Sequence, residues 1–322
     1  MPHPYEMMMI ELRRIQEAQE LIRPYLHRTP LFTSRFLSSQ TGAEVFLKAE
    51  LFQKTGSFKP RGAINKLKHF TAEEKARGIV TVSAGNHAQA VAFAASMEKI
   101  PCVVVMPSSA PQNKLDATRG YGATVVLHDD MRTIFERCEQ VRKDRNAILL
   151  HPFDDPDVIA GQGTVGLEIY EDVPEADTVV VGIGGGALIS GIATALKNLN
   201  PEIRIIGVEP DGAPSMYRAL REGKPVRLEK IETVADGLAA PYVGEWTLKT
   251  VQEYVDDVVL VSDQQIIEAV KLLLERAKLM VEPAGAAGTA ALLSGKIPSA
   301  GKKVVLVLSG GNLNLQLLKS WL

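Results

Sequence analysis

Cysteine is scarce in this chain of 322 residues, which has only Cys102 and Cys138. Cys102 lies in a strand-like run and Cys138 in a helical one, and neither has a partner at metal-ligand spacing. Disulfide-stapled folds and structural zinc sites both need larger sets of cysteine or histidine. The sequence therefore excludes a disulfide framework and argues against zinc.

Excess charge and long apolar runs are also missing. The formal net charge is -2 at pH 7, which gives no electrostatic reason to expect nucleic acid or an anionic membrane as partner. No apolar run approaches the ~18 residues of a membrane span, and the N-terminus shows no secretory signal pattern. We therefore expect a cytoplasmic protein that acts on a small molecule.

Apolar β-branched runs alternate with helical segments along the chain. Runs such as Val179–Val181 and Val304–Val307 suit strands that are buried on both faces. Alternation with helices predicts an α/β fold with parallel sheets and helical cover. The patterns also predict a helix over 5–24, a loop over 29–34, irregular structure from about 223 to 250, and a helix over 263–278.

Residues 54–63, KTGSFKPRGA, place a lysine between an aromatic residue and a proline. Thr55, Gly56 and Ser57 are typical of a turn, and Pro60 suits the first turn of a helix. Lys59 is therefore predicted near a helix N-terminus, where the helix dipole lowers the pKa of an ammonium group. A lysine with a lowered pKa suits a Schiff-base nucleophile, whereas most lysines are merely solvated.

A glycine-rich turn, Gly182–Ala187, joins a predicted strand to a predicted helix. Glycine lets the backbone approach a ligand, and the N–H groups at a helix N-terminus favour phosphate. The spacing also meets the dinucleotide-binding pattern, with Glu209 at the end of the next strand as the acidic residue. The turn therefore predicts a phosphate site and leaves a nicotinamide-dependent oxidoreductase as an alternative.

Two further turns rich in small polar residues follow predicted strands, at 83–87 (SAGNH) and 309–312 (SGGN). The first offers a hydroxyl, backbone N–H groups and the amide of Asn86, which can hold a carboxylate. His87 is more typical of a structural donor than of a general base, because no charged partner is visible to tune its pKa. Ser309 alone is more typical of a turn hydroxyl or a helix N-cap.

Together these positions comprise an amine nucleophile, a phosphate site, a carboxylate site and an isolated hydroxyl. A pyridoxal phosphate enzyme acting on an amino acid needs this set, because the lysine holds the cofactor aldehyde and the cofactor ring accepts electrons. A dehydrogenase has no use for Lys59, and a non-catalytic binding module needs neither Lys59 nor Ser309. The set favours the pyridoxal phosphate enzyme.

Four motifs resemble the threonine/serine dehydratase (threonine ammonia-lyase) and serine racemase family. They are 57–63 (SFKPRGA), 83–90 (SAGNHAQA), 184–186 (GGG) and 309–312 (SGGN). The members of this family are pyridoxal phosphate enzymes of fold type II, the tryptophan synthase β-like fold. The resemblance extends in the same order over nearly the whole chain.

This resemblance implies two open, twisted, mostly parallel sheets with helices on both faces. It also implies a large cofactor-binding domain formed by residues 1–66 and 153–322, and a small domain formed by residues 67–152. A homodimer or higher homo-oligomer is expected of the family. Because the chain ends after the catalytic region, we expect no feedback control through an appended regulatory domain.

The resemblance assigns roles to individual residues. Lys59 would link to the cofactor and remove the substrate α-proton, with Phe58 beside the cofactor. Asn86 would hydrogen-bond the cofactor 3′-oxygen, and the neutral hydroxyl of Ser309 would meet the pyridine nitrogen. The phosphate would be held by Gly184, Gly185, Gly186 and Ala187. The substrate would be held by Ser83, Ala84, Gly85, Asn86, His87 and Glu282.

Departures from the family pattern affect the expected activity. Racemases of the family carry a second serine where this chain has Ala84, and alanine cannot relay a proton, so dehydration is favoured over racemisation. Phe153 stands where dehydratases tend to be aromatic. At the cation site of relatives, Glu209 and Ala213 match but Ser215 replaces an aspartate, which weakens any divalent or monovalent cation site.

The resemblance therefore implies β-elimination, in which L-threonine and/or L-serine is dehydrated and deaminated to 2-oxobutyrate or pyruvate with release of ammonia. Dehydration of 3-hydroxyaspartate or of another β-hydroxy amino acid, and racemisation of serine, are alternatives within the family. The nicotinamide-dependent oxidoreductase built on Gly182–Ala187 is the alternative from another class.

Overall fold

The computed structural model describes residues 9–83, 85–130 and 132–321. Among these residues, no helix combines the length and the apolar character that crossing a bilayer requires. Ala84 is outside the described residues.

Strands alternate with helices through the described residues. The strands are β1 (Leu31–Thr33), β2 (Glu44–Ala49), β3 (Ile79–Val82), β4 (Cys102–Pro107), β5 (Thr124–His128), β6 (Ile148–Leu149), β7 (Thr178–Gly182), β8 (Arg204–Pro210), β9 (Asp257–Val261) and β10 (Lys303–Leu308).

Most strand-to-strand connections contain a helix. The helices are α1 (Leu12–Ile22), α2 (Arg35–Thr41), α3 (Lys59–Lys68), α4 (Ala72–Arg77), α5 (Asn86–Glu98), α6 (Gln112–Gly120), α7 (Ile134–Asp144), α8 (Pro156–Asp172), α9 (Ala187–Leu199), α10 (Ser215–Glu222), α11 (Glu245–Tyr254), α12 (Asp263–Leu272), α13 (Pro283–Leu293) and α14 (Leu315–Lys319).

The strands form two sheets. The larger has the order β1-β2-β10-β7-β8-β9, and every pair in it is parallel except the β1–β2 pair. The smaller has the order β5-β4-β3-β6, and its pairs are parallel. The α/β class with two mostly parallel sheets is confirmed.

The central strands of the larger sheet are buried on both faces. Val179–Val181 in β7 and Val304–Val307 in β10 are almost fully inaccessible. Side chains of successive strand residues point to opposite faces, so a run of apolar residues needs helical cover on both sides. The β-branched runs thus explain why the helices lie on two faces.

One apolar core continues from the smaller sheet into the helices of the larger part. It contains Ile79 and Val104 of the small sheet together with Ile64 of α3, Ile159 of α8 and Ala187 of α9. The two sheets are therefore held together by apolar packing as well as by the chain connections.

Several local predictions differ from the structure. Residues 31–33, predicted as loop, form the short antiparallel edge strand β1, whose alternation is too brief to detect. The region predicted as irregular contains α11 at Glu245–Tyr254. The helix predicted over 263–278 ends at Leu272 and continues as a π-helical turn, Leu273–Ala277.

A buried ion cluster fastens α3 to its neighbours. Arg61 is 2% exposed, and its guanidinium donates to Glu50 at 2.8 Å and to Glu168 at 2.7 Å. Lys48 donates to the same Glu168 at 2.6 Å. Removing one member would leave an uncompensated buried charge, so the cluster is mutually dependent. Because Arg61 follows Lys59 by two positions, the cluster fixes the helix that presents Lys59.

Candidate active site

A cavity lies between the two sheets, at the carboxyl ends of β3, β7 and β10. Ligands of open α/β sheets bind at such ends. The lining includes the predicted residues Phe58, Lys59, Ser83, Gly85, Asn86, His87, Gly184, Gly185, Gly186, Ala187, Glu282 and Ser309. Every predicted cofactor or substrate residue that the structure describes thus lies around one cavity.

Lys59 begins α3, as predicted; it is half-buried and lines the cavity. Nζ donates to the carbonyl oxygen of Pro152 at 3.2 Å and lies 5.0 Å from the ring centroid of Phe58. Burial lowers the pKa of Lys59 to about 8, and the charge of Glu282 partly opposes this. The predicted lowering is therefore present, with desolvation as its main cause.

The glycine turn forms a close-packed cradle at the N-terminus of α9. Gly186 has φ +95°, and no side chain of the described residues caps the first turn of α9. A Cβ placed on Gly185 would lie 2.1 Å from the Phe153 ring, and one on Gly186 would lie 2.8 Å from Cβ of Thr247. Backbone N–H groups without a side-chain cap at a helix N-terminus are suited to a phosphate group.

The turn at 83–87 presents a second helix N-terminus to the same cavity. The N–H of Gly85 donates to Ser83 Oγ at 3.2 Å, and no described side chain caps the first turn of α5. His87 is buried, with Nε2 at 3.1 Å from Thr81 Oγ1, and burial holds the pKa of this imidazole well below its usual value. A neutral, buried His87 favours a structural role.

Asn312, which sequence reasoning left without a role, orients the side chain of Asn86. Asn312 Nδ2 donates to the carbonyl oxygen of Thr55 and to Asn86 Oδ1, both at 2.7 Å. Since a carbonyl can only accept, Asn312 must present its NH₂ group there, and Asn86 Oδ1 must accept. The Asn86 NH₂ group is therefore directed into the site, where it donates to Glu282.

Glu282 closes this side of the cavity at the N-cap of α13. Its side chain packs on the backbone of Gly310, where a Cβ would come within 2.2 Å of Oε1. Burial raises the pKa of Glu282 to about 7, and the nearby charge of Asp236 adds to the rise. Glu282 can therefore hold or release a proton near neutral pH.

Ser309 follows β10 directly and is 5% exposed. Its carbonyl oxygen accepts a hydrogen bond from the N–H of Phe58 at 3.1 Å, and Ser57 forms an isolated β-bridge with Gly310. The lysine stretch and the C-terminal turn are thus held to each other, far apart in sequence. This pairing places the Ser309 hydroxyl beside the same cavity as Lys59.

The cavity also contains residues that sequence reasoning missed. Lys114 of α6 forms an ion pair with Asp236, and both line the cavity. Phe135 and Leu238 add apolar lining. In the sequence these residues lie either after a strand end or in the region predicted as irregular, and no motif marks them as functional.

Glu209 is fully buried and is not among the residues that line the cavity. Its two carboxylate oxygens accept hydrogen bonds from the N–H groups of Met216 and Tyr217, both at 2.8 Å, and from Ser215 Oγ at 3.3 Å. A carboxylate without exposed surface does not reach a ribose in this cavity, which argues against the dinucleotide alternative. Among the described residues, no group of three or more His, Cys, Asp or Glu is arranged to hold a metal ion.

Comparison with known families decides between the remaining classes. The model of the family described as "pyridoxal-phosphate dependent enzyme" matches residues 22–310. The chain belongs to this family. Its members depend on pyridoxal phosphate, so the cofactor is that compound, and the nicotinamide alternative is set aside.

Individual relatives agree with this family. L-threonine ammonia-lyase of Thermotoga maritima is 48% identical over 311 residues, which cover 96% of this chain and 77% of the relative. Catabolic L-threonine dehydratase of Staphylococcus aureus is 46% identical over 311 residues, covering 95% of this chain and 90% of the relative. The solved structure of maize serine racemase has a TM-score of 0.92 and 41% identity, and covers 96% of each chain.

The side chains present fit pyridoxal phosphate. The cofactor supplies an aldehyde for an amine and a ring that accepts electron density. Lys59 offers an amine whose pKa is lowered by burial, and the glycine turn offers the backbone N–H groups of an uncapped helix N-terminus, at which an added Cβ would clash with neighbouring residues. These features lie around one cavity, as a single ligand with an aldehyde and a phosphate requires.

The pKa of Lys59 predicts how the apoprotein recovers its cofactor. Only the unprotonated amine attacks an aldehyde, so the recombination rate with pyridoxal phosphate should rise with pH around a midpoint near 8, measured by stopped-flow absorbance. In Glu282→Gln the midpoint should fall, because the charge of Glu282 raises the pKa of Lys59. A midpoint near the ordinary lysine value of ~10.4 would contradict the lowering of the pKa by burial.

Proposed function

We propose that this protein is a threonine/serine ammonia-lyase, which converts L-threonine to 2-oxobutyrate and ammonia and L-serine to pyruvate and ammonia. The observation that carries the proposal is that Lys59, whose pKa is lowered by burial, lines the same cavity as two helix N-termini without side-chain caps, those of α9 and α5. Two relatives at 46% or more identity are named for threonine.

Each group has one task in this reaction. The N-terminus of α9 binds the cofactor phosphate, and the N-terminus of α5 binds the substrate carboxylate. Lys59 removes the α-proton, and the β-hydroxyl leaves with a proton as water. The resulting enamine becomes an imine, which takes up water again to give the 2-oxo acid and ammonia.

Ser309 and Asn86 tune this chemistry. Ser309 would offer the pyridine nitrogen a neutral hydroxyl in place of a carboxylate, which would leave the ring a weaker electron sink and would favour prompt elimination. Asn86 would donate to the cofactor oxygen with the NH₂ group that Asn312 orients. Phe58 would pack beside the ring.

Serine racemisation is the second candidate, because two solved neighbours are named as serine racemases. The sequence disfavours it here, since Ala84 has no hydroxyl to return a proton on the opposite face.

A substrate assay separates these activities. Purified protein with pyridoxal phosphate is incubated with L-threonine or L-serine, and ammonia, 2-oxo acid and D-serine are measured together. We expect equal amounts of ammonia and 2-oxobutyrate from threonine, and D-serine formation at least ~10-fold slower than elimination. D-serine as main product, or no ammonia from either substrate, would refute the proposal.

Other expectations stay part of the proposal. The small domain at 67–152 and the large domain at 1–66 and 153–322 are supported by the strands, since the four-stranded sheet uses only residues within 79–149. Homodimerisation and a cytoplasmic location stay predictions. A cation at Glu209, Ala213 and Ser215 is not expected, because Ser215 replaces the aspartate of relatives and Glu209 would have to exchange its present hydrogen bonds for a cation.

A further inference from the structure

Four charged side chains line the described part of the cavity: Lys59, Lys114, Asp236 and Glu282. Lys59 is committed to the cofactor. Lys114 is therefore the lysine left to meet a substrate, and its side chain is only 5% exposed. A nearly buried ammonium beside a ligand site would bind an anion strongly if it had no partner of its own.

Lys114 has such a partner. Its Nζ is ion-paired with the carboxylate of Asp236, whose side chain is 56% exposed. The pair joins α6, beside the small sheet, to the Asp236–Leu238 turn of the larger part. Asp236 thus neutralises Lys114 while its own side chain lines the cavity and is more than half exposed.

This pair stands where the substrate is expected. A Cβ placed on Gly85 would lie 3.6 Å from Lys114 Nζ, so the ammonium adjoins the turn proposed to hold the substrate carboxylate. Next to Asp236, the wall becomes apolar at Leu238, Ala239 and Ala240. A small side chain with a methyl group suits this wall better than a charged one.

We propose that the Lys114–Asp236 pair sets the side-chain specificity of the enzyme by excluding β-hydroxy amino acids with an acidic side chain, such as 3-hydroxyaspartate. This inference rests on the proposed function and narrows its substrate class. Because the Lys114 ammonium is already paired with Asp236, it does not pair with a carboxylate on the substrate side chain. The negative charges of Asp236 and Glu282 repel that side-chain carboxylate. Uncharged threonine and serine meet no such penalty.

The decisive comparison uses L-aspartate and L-asparagine, which have nearly the same shape but differ in side-chain charge. Their Kd values for the holoenzyme are measured from the change in cofactor absorbance. We expect asparagine to bind the wild type at least ~10-fold more tightly than aspartate. In Asp236→Asn the ratio of the aspartate Kd to the asparagine Kd should fall at least ~10-fold, because Lys114 can now pair with the side-chain carboxylate of aspartate. In Lys114→Met, which lacks the ammonium group, aspartate should bind more weakly than it binds the wild type.

Turnover provides the second readout. Asp236→Asn should raise kcat/KM for 3-hydroxyaspartate relative to threonine by at least ~10-fold. Asp116→Asn, the same change on an exposed position of α6, should alter neither ratio. If the ratio of the aspartate Kd to the asparagine Kd in Asp236→Asn stays within twofold of the wild-type value, the inference is overturned.

These outcomes are separable from failure of the proposed function. If the wild type releases no ammonia from threonine, the lyase assignment fails, while the two Kd values still report whether Asp236 controls charge selection. A large rise in the KM for threonine in Lys114→Met, with an unchanged ligand ratio in Asp236→Asn, would assign Lys114 to the α-carboxylate and refute the specificity role.

Discussion

Replacing Lys59 with alanine should lower the rate of ammonia release from threonine by at least ~1000-fold. The Lys59 amine is proposed both to attach the cofactor and to remove the α-proton, and a positioned base alone contributes about 100- to 10,000-fold. The rate is measured by coupled detection of 2-oxobutyrate with saturating pyridoxal phosphate, so that weak cofactor binding does not cause the loss.

Lys68→Ala is the matched control. Lys68 lies on the same helix α3 but pairs with Glu98 and takes no part in the cavity lining. A partly exposed ion pair contributes little to stability, so this variant should keep nearly full activity. If Lys59→Ala retained more than about a tenth of the wild-type rate, Lys59 would not be the base.

Gly185→Ala should weaken pyridoxal phosphate binding by about 100-fold or more. The added methyl group would lie 2.1 Å from the Phe153 ring, far inside contact distance, so either the phosphate cradle or Phe153 must move. Since both line the cavity, either movement disturbs the cofactor site. Binding is measured by absorbance titration of the apoprotein.

The double variant Gly185→Ala/Phe153→Ala tests this cause. If the clash is responsible, removing the ring should restore at least ~10-fold of the lost affinity, a coupling that independent sites do not show. Gly120→Ala is the control, because a Cβ there meets no atom within 4 Å. Wild-type affinity in Gly185→Ala, or no recovery in the double variant, would contradict the cradle.

Much of the fold is predictable because the apolar, β-branched composition of its central strands indicates that they are buried. The runs at Val179–Val181 and Val304–Val307 can only be strands covered on both faces, and the structure has them at the centre of the larger sheet. Short elements gave no such signal. Strand β1 has three residues and a mostly exposed pattern, and α11 was hidden in a region of mixed composition.

The candidate site divides in the same way. Lys59 and the glycine turn each stand in a local motif at a helix or strand end, so chemistry and spacing indicate them, whereas the role of Ser309 came only from the family resemblance. Lys114 and Asp236 are 122 positions apart and meet only in the folded chain. The contact between Phe153 and Gly185 likewise depends on tertiary packing.

The measurement that tests the central claim most directly is the visible absorption spectrum of the purified protein before and after borohydride, followed by peptide mass mapping. The account predicts a band in the violet region, its loss on reduction, and a pyridoxyl group fixed on the peptide that contains Lys59. A colourless protein that pyridoxal phosphate cannot restore, or a label on another lysine, would contradict it.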